Sequence, residues 1–337
     1  MPFFKKTKRR IILKVDGVKA YLFNILLIIG LSLINAFGHG TLQFVSGLFI
    51  SILIGCSVTK HHYLFVFAES ALVIAVTTAI YALFGSAEAV MAGLTASVML
   101  VLLGIGLGLS TNMKMSTGET VIMCSLIYLA NTMIGFAVIG ENLFDKTMFE
   151  ELRVAMAQMI QTQYSTVPEI VALAEEMVSE TLGLLYRFLP SMLVCSAGLN
   201  GIILAFLYKR LLPKFNINVK LESFSLLRAE RSLGVLFIIT IMIALSVNDA
   251  LYVDAFLNLI VILCFMFFIC GLSYLYYSMR KKNKSKTYAT IMVIVVLPLV
   301  TVLFAVPFIV IAGFGLVDSL VDFRKRRTLK GDGNGLQ

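Results

Sequence analysis

The feature that most constrains this chain is a succession of apolar runs, each about as long as a bilayer's apolar layer is thick. They lie at about 21–37, 41–58, 63–84, 88–110, 119–139, 186–208, 232–248 and 255–278, and each holds at most one charged residue. A helix needs roughly 20 such residues to cross the layer, and inside it a helix satisfies its own backbone. Composition agrees. The chain is 59% hydrophobic and 14% charged, against about 25% charged residues in a soluble domain. The expected fold is all-α, a polytopic transmembrane helical bundle whose solvent is the lipid bilayer.

Charge orients the bundle. Residues 1–19 hold seven Lys/Arg against Asp16, residues 208–231 hold six against Glu222 and Glu230, and residues 279–287 hold five against none. These clusters flank apolar runs, the positive-inside pattern. Loops around Lys60, Lys114, 209–231 and 280–286 are basic. Those at Gly38–Gly40, Gly85–Glu88, 140–185 and Asn248–Asp254 are neutral or acidic. Eight crossings with a cytoplasmic N-terminus satisfy every loop. The net charge of +9 therefore reads as topology and attraction to anionic lipid, not as a nucleic-acid footprint. The expected organisation is a basic cytoplasmic N-terminus (1–20), one transmembrane domain (21–323) and a basic tail (324–337), in the cell membrane. Glu119, Asp249, Asp254 and Asn258 fall near span ends, where interfacial solvation explains them.

The last apolar block, about 288–323, ends on Arg324, Lys325, Arg326 and Arg327. One crossing would place that tail outside. Pro298 and Pro307 interrupt the block, and proline removes a helical hydrogen bond. The expectation is two short helices in a tight hairpin that returns the tail to the cytoplasm; a single long span with an outside tail is the alternative.

Two segments outside the spans carry amphipathic patterns. In 140–185, Leu152, Met156 and Met159 recur at helical spacing, as do Ile170, Leu173 and Met177. This predicts two external helices broken near Ser165–Pro168, acting as a packed cap, a lid or a docking surface. In the basic loop 209–231, Leu221, Phe224 and Leu227 predict an interfacial helix.

No phosphate loop, H-E-x-x-H or G-x-S-x-G is present, so no catalytic residue, cofactor or enzymatic activity is expected. Cys56, Cys124, Cys195, Cys264 and Cys270 lie in or beside apolar runs without metal-ligand spacing, and His39, His61 and His62 form no metal set. The candidates are polar groups inside spans, which cost about 2.5–3.5 kcal/mol when charged. Glu69 is expected to hold a cation, a proton or an amine in a cavity, or to serve as a structural carboxylate. Asn131 and Asn200 either line a ligand site or bond between helices. Gly47, Ser51 and Gly55, four apart, form a small-residue ridge that packs internally or receives a partner's helix; Gly104 and Gly108 repeat the spacing. Gly315, Asp318, Asp322 and Arg324 mark the closing motif, where either carboxylate can pair with Arg324.

The stretch LLYRFLPSMLVCSA around Pro190, KRLLPKF at the end of the sixth run and the closing GFGLVDSLVDFRKRR resemble the YybS-like family of predicted bacterial membrane proteins. That family is similar in architecture to the substrate-binding S components of energy-coupling-factor (ECF) vitamin transporters. The resemblance implies a small-molecule ligand held near the outer face, and membrane and ATPase partner subunits, with Gly47, Ser51 and Gly55 as the docking face. The expected function is small-molecule binding or transport. A non-transporting scaffold of an envelope complex is the alternative.

Overall fold

The computed structural model describes residues 23–60, 63–139, 146–164, 168–215, 217, 224, 227–281, 285–296, 305–321 and 324. Among them there is no strand. The helices are α1 (Phe23–Phe37), α2 (Thr41–Lys60), α3 (Tyr63–Phe84), α4 (Ala87–Asn112), α5 (Thr117–Ile139), α6 (Lys146–Tyr164), α7 (Pro168–Leu211), α8 (Arg231–Ser246), α9 (Ala250–Lys281), α10 (Lys286–Ile291) and α11 (Ala305–Val321). A five-residue π-helical turn, Met292–Val296, follows α10. Each of the eight expected runs coincides with one of these helices. Six are long and apolar enough to cross a membrane, and α1, α8 and α11 are shorter apolar helices.

Helix starts follow local chemistry. Ser116 and Glu119 form a reciprocal capping box at α5: the Ser116 N–H donates to the Glu119 carboxylate at 2.7 Å, and the Glu119 N–H to the Ser116 hydroxyl at 3.2 Å. Asp249 accepts the Leu251 N–H at 2.9 Å at the start of α9. Pro168 opens α7 and Pro307 lies in the first turn of α11, where a missing N–H is tolerated. Pro307 thus begins a helix instead of breaking one. The two helices expected in 140–185 are α6 and the first part of α7; the expected break between them lies on residues 165–167, outside the described residues. The second of them is continuous with the sixth span, in one helix of 44 residues.

The chain forms two compact units, one of residues 1–145 with 197–221, the other of 146–196 with 222–337. Hydropathy does not register this division, because spans of both units read alike.

In the first unit α2 and α4 run parallel in close contact. Ser51 Oγ donates to Leu100 O at 2.9 Å. A side chain on Gly104 would meet Ile54 Cβ at 2.6 Å, and one on Gly108 would collide with Val58. The Gly47–Ser51–Gly55 ridge and the Gly104–Gly108 pair therefore close on each other. Tyr208 of α7 is fully buried beside them, its hydroxyl donating to Gly55 O at 3.1 Å. Lys209 is also buried; its Nζ donates to Met115 O at 3.1 Å and Thr117 Oγ1 at 3.3 Å, where it meets the negative end of α4.

In the second unit α6 runs antiparallel to the start of α7, tied by the Phe149–Tyr186 ring pair and by Gln161 Nε2 donating to Glu175 at 2.8 Å. Helices α9 and α11 run parallel: Phe268 stacks on Phe308, Tyr274 on Phe314, and Gly271 and Gly315 bring the backbones together. Helix α11 thus starts beside the middle of α9 and runs with it toward the α9 C-terminus. Arg324 then lies at the end of α9 that carries Tyr277, within reach of Leu227.

Pro190 interrupts α7, and Asn258 of α9 repairs the interruption. The Ser191 N–H donates to Asn258 Oδ1 at 3.0 Å, and Asn258 Nδ2 donates to Arg187 O at 2.9 Å. The amide is thus inserted into the helical ladder. Arg187 and Asp254 form an ion pair beside it. Interfacial solvation does not describe Asn258; it is a half-buried interhelical stitch.

Candidate functional site

The first unit contains a cavity of about 240 Å³. Its walls come from α2, α4, α5 and α7, and its end toward the α1–α2 turn is bounded by Asn35, Gly40 and Gln43. Deeper walls are Leu103, Cys124 and Leu204, with Ser51, Tyr128 and Asn200 between. The space exists because small residues meet there: Gly47, Ala96 and Gly201 all line it. Gly201 itself faces Ser125 and Val121 of α5 so closely that a side chain would collide.

Its chemistry is that of an apolar slot with a polar rim. No charged side chain lines it among the described residues. Asn35 is buried and engaged, its Nδ2 donating to Gln43 O at 2.7 Å and Ser46 Oγ at 3.3 Å. Those bonds fix the turn at the cavity's end. The Gln43 amide and the Tyr128 hydroxyl make no hydrogen bond among the described residues, so both are available to a ligand. A buried ligand would meet no opposite charge here, which favours an uncharged one.

The three expected ligand residues do not converge. Asn200 lines the cavity. Asn131 lies one turn beyond Tyr128 on α5, half-buried and outside the lining. Glu69 is fully buried on α3, also outside it. Of the ridge, Gly47 and Ser51 border the cavity, and Gly55 packs against Tyr208 and Gly104. With α4 and Tyr208 against it, this face is engaged within the unit.

In the closing motif, Gly315 seats α11 on Phe267 and Gly271. Arg324 Nε donates to Asp318 Oδ2 at 2.8 Å in a pair whose side chains are 11% and 1% exposed. The same guanidinium donates to Ser273 Oγ at 3.3 Å and Leu227 O at 3.2 Å, and lies over Tyr274 and Tyr277. Ser273 donates to Phe224 O and Leu227 O, and Ser319 to Glu230 O. The segment expected to rest on lipid is thus bonded to α9 and α11 at Phe224, Leu227 and Glu230. Asp322, Leu221, His61, His62, Pro298, residues 1–20 and residues 325–337 lie outside the described residues. Among the described residues no cluster of three His, Cys, Asp or Glu could hold a metal ion.

Sequence reasoning missed Asn35, Gln43 and Tyr128. Asn35 and Gln43 sit at run ends beside a glycine-containing turn, where polar residues read as solvated. The tyrosine reads as one aromatic among twelve of its kind. The three meet only in the folded chain, across stretches far apart in sequence, and no spacing within one run joins them.

Residues 22–319 match the model of a family described as "Predicted membrane protein (DUF2232)". No curated protein and no solved structure matches the chain.

Proposed function

The chain belongs to this family of predicted membrane proteins, and we propose that it binds a small uncharged molecule in the cavity of its first unit, as part of a transport cycle. The observation that carries the reading is the cavity itself, with a polar end at the α1–α2 turn and an apolar floor. By the positive-inside reading that turn is external, which suits the S-component resemblance, where ligand is taken near the outer face. At about 240 Å³ it is smaller than the roughly 300–1,000 Å³ usual for drug-sized ligands. A compact ligand with one or two polar groups fits, its apolar body on Leu103 and Leu204 and its polar group at Gln43 or Tyr128.

The chain has no phosphate loop, so uphill transport would take its energy from an ion gradient or from ATPase partner subunits. If a coupling subunit docks, it uses a face other than Gly47, Ser51 and Gly55.

The test is extraction of purified protein followed by mass spectrometry, repeated on Ala96→Phe. That substitution fills the cavity. Loss of the bound molecule with an intact melting transition supports the reading; a molecule retained at equal occupancy in Ala96→Phe places it elsewhere and overturns it.

A scaffold role is favoured by one separate observation. On α6 Met159 is 71% exposed, and on the first part of α7 Leu173 and Met177 are each 60% exposed. If this surface holds a partner, Met159→Glu with Met177→Glu abolishes co-purification of that partner while membrane insertion persists.

A further inference from the structure

Glu69 presents a problem that the cavity does not solve. It lies in α3 with no exposed surface, and neither carboxylate oxygen has a hydrogen-bond partner among the described residues. Across the contact of α2 with α3 lies Ser57, 1% exposed, whose hydroxyl likewise has no hydrogen-bond partner among the described residues. Ser70 and Thr77 on α3 are also buried with unpartnered hydroxyls. Lys60, one turn beyond Ser57, is exposed at the end of α2 and forms no ion pair with Glu69. The core that α2, α3 and α4 share in this unit is aliphatic, with Ile54 of α2 and Val73 of α3 in one buried cluster, and Cys56 beside Ser57 is buried too.

A carboxylate left ionised and uncompensated in such surroundings is strongly unfavourable. A buried carboxylate and a buried hydroxyl, both unpaired on two helices in contact, point to a missing electrophile. Its charge is bounded by the site: one carboxylate balances one positive charge, and a divalent ion would leave an excess charge buried. Its type is bounded too, since carboxylate and hydroxyl oxygens are hard ligands. A proton would engage one carboxylate oxygen; a metal cation could draw on both, and on the Ser57 hydroxyl with them.

We propose that Glu69 and Ser57 form an intramembrane site for a small monovalent metal cation of the sodium type, held between α2 and α3. Because Glu69 lines no part of the cavity, this site stands or falls apart from the ligand reading. If both hold, the cation supplies the gradient on which transport runs.

The experiment uses the full chain in detergent, titrated with NaCl against choline chloride at constant ionic strength, with KCl in parallel. The wild-type melting temperature should rise by about 2–5 °C at saturating Na⁺. Glu69→Gln should remove the rise, and Ser57→Ala should raise the half-saturating concentration roughly tenfold. Ala96→Phe should keep the full response. Direct binding of radioactive sodium to wild type, at one ion per chain, is independent of whether Glu69→Gln folds. Absence of that binding overturns the proposal, as does an equal Na⁺ response in Glu69→Gln. A melting temperature that follows pH but not Na⁺ assigns the carboxyl to a proton and overturns it as well.

Discussion

Two arginines show how little a charge reveals until its surroundings are known. Arg187 pairs with Asp254 where both side chains remain more than a third exposed, so the ion pair itself contributes less than about 1 kcal/mol. Arg324 pairs with Asp318 in a nearly closed setting, backed by Ser273, Leu227 and two tyrosine rings. Removing one member of a buried pair strands the other, at about 3–5 kcal/mol. Arg324→Ala should therefore lower the melting temperature in detergent far more than Arg187→Ala; equal losses would contradict the burial argument. Asn258 supplies a graded case. Asn258→Ala leaves the Ser191 N–H and Arg187 carbonyl unpaired beside Pro190, a loss of about 1–3 kcal/mol. Asn258→Asp keeps the acceptor and loses the donor, so its melting temperature should fall between those of wild type and Asn258→Ala.

At the scale of elements, helix existence was legible because a span must be a long apolar run whatever it packs against. Helix contacts were only half legible. The spacing of Gly47, Ser51, Gly55, Gly104 and Gly108 announced close approach, and the structure pairs the two sets. The spacing could not say whether the approaching helix belonged to this chain or a partner. Gly271 and Gly315 carry the same function across α9 and α11 without any local repeat, since each helix contributes one glycine to a contact between distant stretches. Gly315→Ala would set a methyl group against the Phe267 carbonyl oxygen. Forcing the backbones apart should cost about 1–3 kcal/mol. Gly135→Ala, with nothing within 4 Å of the new atom, should be neutral or stabilising by up to about 1 kcal/mol through helix propensity. Thermal melts of the two variants side by side check the contrast. The cavity was the least legible element. Asn200 belongs to it, but Gln43 and Tyr128 join it only through the packing of α2, α4, α5 and α7, which no pattern within one helix encodes.

For the whole molecule the question is which side of the membrane each end faces, and each unit answers separately. In the first, Lys209 bonds to the α4–α5 turn that holds Lys114, while Asn112 donates to Val58 O at 3.4 Å near Lys60. Lys60, Lys114 and Lys209 of that unit thus gather at one end. In the second, Arg324 reaches Leu227, adjacent to Arg228 and Arg231, at the end of α9 that carries Arg280 and Lys281. Its opposite end holds Asp249 and Asp254. The positive-inside bias acts on each set of loops, and for each basic end it predicts a cytoplasmic location that labelling can test. Parallel packing of α9 and α11 bears on what the prolines alone left open: a chain whose α11 runs with α9 brings Arg324 back to the basic side. Single cysteines placed at Lys114, Ser285 and Gly333 in a cysteine-free background should resist a membrane-impermeant maleimide in intact cells and react after permeabilisation. Cysteines at Gly85 and Asp249 should react at once. Labelling of Gly333 from outside, with Ser285 still protected, would mean one crossing after α9 and would contradict the parallel contact of α9 and α11.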